Sequence, residues 1–365
     1  MAHLSLSATA SVATINRRAK TLTEPLYKES PVFAMVQKKG NMEYNCGGGA
    51  LEWPVRYRRR TITAGSSPLQ TSYPEFNRLL KAEIPYRTYN LGEGLSKFTY
   101  LAIKNDPNSY IENALDKAMK WSLEDFRHDL ARRVYIDGAA TGSLDIYGFE
   151  SMFNATAVAS NARVGTPAGT YAGVTETLAT YGGSFTAEST TEAWPVGGGN
   201  DQYDFWAPLQ PDTTNTKWSN DTKTWKKNWQ EIVTWTISMM QTRNDEKPDT
   251  IILTPQMLTD ARIEVLNNQR FELTQNKEKI EAGVEAVTIE GIDFVTDGRI
   301  VQTVGSQVGY AVTFNKIRIC CMGSQLIETD RDFDLTSKNR EWHLDSLLNM
   351  AFESPKYFAR FQALS

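Results

Sequence analysis

Residues 108–136, NSYIENALDKAMKWSLEDFRHDLARRVYI, set the frame for the whole chain. Ile111, Leu115, Met119, Leu123, Phe126, Leu130 and Val134 recur at spacings of three and four, so they form one apolar stripe of a helix. Asn108 or Ser109, just after Pro107, can cap its start, and Gly138 can end it. At 1.5 Å per residue the rod is about 43 Å long. Lys117, Lys120, Glu124, Asp125 and Arg132 occupy the other face. A helix of this length reads as a structural spine rather than the carrier of a reactive site.

On the N-terminal side, Leu51, Trp53, Val55 and Tyr57 alternate with Glu52, Arg56 and Arg58, the period of a strand. Arg59 and Arg60 make its far end basic. A polar tip with Gly65, Ser66, Ser67 and Pro68 follows, and the chain returns through Ala82, Ile84, Tyr86 and Tyr89. Two long limbs around a loose tip predict a projecting β-hairpin. Residues 1–50, with Pro25, Pro31 and Gly47-Gly48-Gly49, read as an extended arm with one short helix.

On the C-terminal side, residues 139–215 are rich in Gly, Ala, Thr and Ser, so long loops with short strands are expected. A second helix is predicted over Asn220–Arg243, with Trp225, Trp229, Ile232, Val233, Thr236 and Met240 on one face. Six of the nine tryptophans lie between Trp194 and Trp235, which reads as packing mass for a core. From Lys247 onward, helices and strands alternate. Ile251–Leu253 is a buried strand, Pro255 opens a helix, and Ala286–Val295 is a strand interrupted by a turn at Glu290-Gly291. Tyr310–Phe314, Ile317–Met322 and Leu326–Thr329 are further strands, while His343–Phe352 fits either strand or helix.

The chain has 365 residues, enough for about two domains, and ordinary globular proportions: 22% charged and 41% hydrophobic. Its net charge of −4 conceals a split. Residues 1–105 hold 15 Lys/Arg against 7 Asp/Glu, a balance of +8, and the rest hold 24 against 36, a balance of −12. Met1–Ala13 lacks the basic and long apolar regions of a signal peptide, and no run approaches about 20 apolar residues, so a soluble chain made in cytoplasm is expected. Cys46, Cys320 and Cys321 form no disulfide framework and read as buried free thiols.

Reactive chemistry is scarce. His3, His128 and His343 have no zinc-ligand spacing, and no G-x-S-x-G elbow is present. Gly47-Gly48-Gly49 lacks the Lys-Ser/Thr of a phosphate loop, and Gly92-x-Gly94 has Lys97 where a dinucleotide fingerprint needs glycine. Asp330, Asp332 and Asp334 could hold a hard cation at a turn but lack the rest of a calcium loop, so solvated carboxylates are expected. Neither a catalytic residue, a metal ligand nor a cofactor is assigned. The cluster Arg56, Arg58, Arg59 and Arg60 has two readings. One is a nucleic-acid contact with Trp53 and Tyr57 interleaved. The other is docking on the acidic surface of a neighbouring subunit, which the −12 body favours.

The order of elements, basic arm, projecting hairpin, spine helix, then a mixed body, resembles the major capsid protein of tailed double-stranded DNA bacteriophages, with its Hong Kong 97-like fold. Local motifs agree. Thr170-Tyr171-Ala172-Gly173-Val174 looks like the family's Tyr-Gly-Gly-Ile segment, and Pro248-Asp249-Thr250-Ile251-Ile252-Leu253 resembles its Pro-Asp-x-Ile-Leu strand. Gln269-Arg270-Phe271 and Ile289-Glu290-Gly291-Ile292-Asp293-Phe294-Val295-Thr296-Asp297 resemble two further family segments, with Asp293 where proline is common. The stretch around Gly182–Gly199 is longer than the family's connection.

The resemblance implies an α+β fold with four parts. These are an N-terminal arm (1–50), an E-loop (51–95), a peripheral domain with the spine helix (96–142 and 338–365) and an axial domain (143–337). It implies a non-enzymatic structural protein that self-assembles into hexamers and pentamers of an icosahedral shell, encloses double-stranded DNA non-specifically, and resides in the virion after assembly in host cytoplasm. Portal, scaffold and decoration proteins are the further partners it allows. A membrane is not among them. An encapsulin-like nanocompartment is the alternative, and a soluble hydrolase or sugar-binding protein a more distant one.

Overall fold

The computed structural model describes residues 30–56, 79–95, 111–156, 163–176, 206–244, 246–268, 274–275, 286–289, 291–333 and 340–364. Helix α1 (Pro31–Lys38) starts on proline, whose fixed φ and missing N–H suit a first turn. Val32, Phe33, Met35 and Val36 are buried in the main core. This is the one short helix expected within residues 1–50, and it packs into the body of the fold. Strand β1 (Met42–Glu43) follows, then the hairpin β2 (Ala50–Arg56) and β3 (Leu79–Pro85), paired antiparallel from Ala50↔Pro85 to Arg56↔Leu79.

Strand β4 (Arg87–Leu95) leaves the hairpin and pairs along β16 (Arg340–Phe352). On the other edge of β16 lie β14 (Ile317–Cys321) at one end and β15 (Glu328–Phe333) at the other, and β1 runs parallel to β14. The ambiguous His343–Phe352 run is thus the central strand of a five-stranded sheet. Trp342, Leu344, Ser346 and Leu348 alternate with more exposed neighbours, but Leu348–Phe352 are buried throughout, which blurs the period of two. Asp330 and Asp332 stand on β15 rather than at a turn, and Asp334 lies outside the described residues.

The spine helix α2 (Ile111–Arg133) ends about a turn before the expected Gly138 cap. Gly138 serves a different end: a Cβ there would run into the Ile146 carbonyl. Leu123, Phe126 and Leu130 are buried as the stripe predicts, and Val134 and Tyr135 continue into the core. Two short hairpins follow: β5 (Ala155–Thr156) with β6 (Thr166–Pro167), and β7 (Thr170–Tyr171) with β8 (Val174–Thr175). Ala172 (φ 51) and Gly173 (φ 76) form the turn of the second, where both central residues are left-handed.

Helix α3 (Trp225–Asn244) buries all six residues expected on its face: Trp225, Trp229, Ile232, Val233, Thr236 and Met240. A six-stranded sheet follows in the order β10 (Thr274–Gln275), β11 (Ala286–Ile289), β12 (Ile292–Thr296), β9 (Thr250–Leu253), β13 (Gly309–Val312) and β17 (Ala359–Phe361). Helix α4 (Pro255–Asn268) joins the parallel β9 and β12. Gly291 (φ 80) turns the β11–β12 hairpin where the sequence places it. Alternate strand residues separate two cores. Ile251, Leu253 and Ala311 pack under α3 and α4, whereas Ile252, Tyr310 and Val312 face the main core. There Phe149 lies 5.2 Å from both Tyr310 and Phe352 and 5.8 Å from Tyr135, ring centre to centre. Helix α5 (Arg299–Thr303) closes this side beside the spine helix.

Candidate assembly surfaces

The hairpin β2–β3 buries one face only. Val55, Ala82 and Ile84 turn inward, with Leu51 and Trp53 partly buried beside them. Its root is fastened by backbone and side chain. Trp53 Nε1 donates to the Glu353 carbonyl at 3.1 Å, Glu83 N–H to the Ala172 carbonyl at 3.0 Å, and Asn349 Nδ2 to the Pro85 carbonyl. The opposite face carries Glu52, Pro54, Leu79, Lys81 and Glu83 in solvent. Lys81 Nζ lies 2.6 Å from Glu52 and 2.9 Å from Glu83, and the hydrogen bond to Glu52 leads in holding its pKa above the ordinary value. Leu79 is 58% exposed at the outer end of the described hairpin.

The spine helix presents a second surface. Trp121 is 61% exposed among the charged residues of the outer face, and Leu144, in the loop past the helix, is 78% exposed. Between them a polar lock fixes the helix end. Arg133 pairs with Asp129 at 2.6 Å and with Asp145, and stacks over Tyr89 at 4.8 Å. The Tyr89 hydroxyl accepts from the Ile146 N–H at 2.7 Å. Burial pushes the Tyr89 phenol up to about 12, so it stays protonated. A cavity of about 260 Å³ lies beside this lock, lined by Tyr89, Leu91, Phe126, Leu130 and Arg133 among others.

Polar groups inside the fold are mostly paired. Glu150 receives Tyr310 Oη at 2.5 Å and Arg360 at 2.9 Å, which oppose the burial that raises its pKa. Asp297 accepts from Tyr135 Oη at 2.9 Å. Glu176 differs: both its oxygens are buried without a hydrogen-bond partner among the described residues, and burial holds its carboxyl well above the ordinary value. His128 is exposed on the spine helix and His343 stands half-buried on β16. Cys320 and Cys321 are buried, Cys46 is half-buried, and all three are free thiols.

Of the sequence-derived contact residues, Arg56 closes β2 by its backbone, and Arg58, Arg59 and Arg60 lie outside the described residues. The structure shows three strongly exposed apolar side chains that sequence reading did not single out: Leu79, Trp121 and Leu144. Trp121 carried a signal, since a large aromatic residue interrupts the polar face of the helix. Among the described residues no helix is long and apolar enough to cross a membrane.

No family model matches the chain, and no curated protein matches it. Solved structures do. The cyanophage A-1(L) capsid asymmetric unit matches with a TM-score of 0.54 and 14% identity, covering 92% of this chain and 93% of that one. The capsid of an empty GTA particle gives 0.52 at 10% identity, over 90% and 89%. The capsid of Myoviridae phage XM1 gives 0.51 at 11% identity, over 89% and 90%. Over about nine-tenths of its length, this chain shares the fold of these phage capsid chains.

Proposed function

We propose that the chain is the major capsid protein of a tailed double-stranded DNA bacteriophage, with the Hong Kong 97-like arrangement, forming hexamers and pentamers of an icosahedral shell around packaged DNA. The observation that carries the reading is the likeness to phage capsid chains over about nine-tenths of both partners. The chemistry is consistent with a structural, non-enzymatic role. The buried polar residues support the core, and the unfinished features are surfaces. In this reading residues 1–50 are the N-terminal arm, 51–95 the E-loop, 96–142 with 338–365 the peripheral domain, and 143–337 the axial domain. Because β4 pairs along β16, residues 87–95 of this E-loop belong to the five-stranded sheet.

Ring-forming contacts join different patches of identical chains. The +8 balance of residues 1–105 and the −12 balance of the rest supply complementary patches on one chain. The acidic body also weakens the grip on packaged DNA. The particle is assembled in host cytoplasm and the chain ends in the virion.

Electron microscopy and sedimentation of the purified protein test the proposal. Megadalton shells holding nuclease-protected double-stranded DNA are expected from infected or expressing cells. A chain that stays monomeric under all assembly conditions overturns it, and shells filled with protein cargo in place of DNA identify a nanocompartment. Replacing Arg56, Arg58, Arg59 and Arg60 by Glu should block assembly while the far-ultraviolet spectrum stays unchanged. Normal shells from that variant exclude electrostatic docking by the hairpin.

A further inference from the structure

Three residues from two distant parts of the sequence meet beside the root of the hairpin. Strand β1 runs parallel to β14 with Glu43 opposite Cys320. The chain then bends at Asn45 (φ 57), and two backbone hydrogen bonds hold the bend: Asn45 N–H to the Gly323 carbonyl at 3.1 Å and Cys46 N–H to the Cys321 carbonyl at 3.0 Å. The bend returns Cys46 to the same spot. A carboxylate oxygen of Glu43 and the sulfurs of Cys46 and Cys320 all lie within 4.8 Å of one another. Cys320 Sγ is 3.8 Å from Glu43 Oε2. The Tyr86 hydroxyl, hydrogen-bonded with Cys46, stands beside them.

From these positions we infer that Glu43, Cys46 and Cys320 form a site for a thiophilic divalent cation of the zinc class. Zinc–sulfur bonds of about 2.3 Å and zinc–oxygen bonds of about 2.0 Å place tetrahedral ligand atoms about 3.5–3.8 Å apart. The sulfur–carboxylate spacing of 3.8 Å lies within about 0.3 Å of the sulfur–oxygen value, the lower of the two. Two sulfurs and one oxygen favour zinc over the hard cations, which prefer all-oxygen shells. Binding would release the two thiol protons to solvent and leave two thiolates and one carboxylate on the ion. Glu43 is exposed and Cys46 half-buried, which gives the ion an entry path and leaves the fourth position to water. Tyr86 orients Cys46 from outside the ligand set. The ion would clip residues 42–46, the link between α1 and the hairpin, onto β14.

Cobalt(II) titration of the reduced, metal-free full-length chain tests the site. Expected are one ion per chain, a sulfur-to-cobalt charge-transfer band with tetrahedral visible bands, release of two protons, and displacement by zinc(II). Cys46→Ser and Glu43→Gln, both on the accessible side, should each weaken binding by more than about tenfold. Cys321→Ser, which leaves the three ligands in place, should not. Binding that persists unchanged in Cys46→Ser overturns the assignment. So does a wild-type chain that takes up no cobalt, including one that instead loses about 2 Da on air exposure as Cys46 and Cys320 oxidise to a disulfide. Because the readout uses single chains, its failure leaves the capsid reading untouched.

Discussion

The six-stranded sheet has both faces covered from within the chain, by α3 and α4 on one side and by the Phe149 cluster on the other. The hairpin β2–β3 has one face covered and offers the other, with Leu79, to solvent. The spine helix shares both characters: Leu123, Phe126 and Leu130 are inside, and Trp121 is outside. The difference separates what a single copy needs from what it does not. The faces of the sheet are buried by the chain itself, whereas the hairpin and the outer side of the spine helix leave Leu79 and Trp121 more exposed than any large apolar residue of the helices over the sheet. In the proposed assembly a neighbouring copy would bury that surface.

Substitutions on either side of this contrast should behave in opposite ways. Phe149→Ala removes the centre of the aromatic cluster and should cost about 3–5 kcal/mol in denaturant unfolding of the dissociated chain. A loss below about 1 kcal/mol would mean that the core is not the self-sufficient half. Gly138→Ala forces a Cβ against the Ile146 carbonyl and should cost about 1–3 kcal/mol in the same assay, although no buried side chain is lost.

Glu176→Gln should act with the other sign. Burial raises the carboxyl from its ordinary 4.5, so above that value the folded chain retains a proton that the unfolded chain has released. Wild-type stability therefore falls as pH rises through the window between the ordinary and the raised value. The amide removes this slope, and thermal unfolding at pH 8 should come at a higher temperature than in the wild type. An unchanged slope would show that Glu176 gains a partner in solution. The smallest effect on folding, within about 0.5 kcal/mol, is expected of Trp121→Ala and Leu144→Ser, both on the surface. Sedimentation should nevertheless show fewer assembled particles. Wild-type assembly by both variants would erase the contrast.

Much of the self-sufficient half was legible because helical and strand periods survive where one face is buried. The α3 stripe and the Gly291 turn follow directly from residue spacing. The β16 strand was ambiguous because Leu348–Phe352 are buried on both faces. Asp330 and Asp332 suggested a turn because acidic residues are common there, yet their segment is held by pairing with residues 343 and 341. The proposed assembly surface was legible as charge and in Trp121, which interrupts the polar face of the spine helix. Exposed apolar residues such as Leu79 and Leu144 have no sequence period that marks them. Glu43, Cys46 and Cys320 meet only through the β1–β14 register, which no local pattern reports.

Strand β16 has a consequence in time. It lies between β4 on one edge and β14 with β15 on the other, and β17 closes an edge of the other sheet. Translation delivers both after every other described element. Until residues 340–361 emerge from the ribosome, β4 lacks its partner and the five-stranded sheet has no centre. Contacts that join residues this far apart also form slowly. A nascent chain therefore carries its hairpin with one of the three bonds at its root, Glu83 to Ala172, and without those to Asn349 and Glu353. A chain interrupted before residue 340 lacks both these bonds and the central strand of the five-stranded sheet.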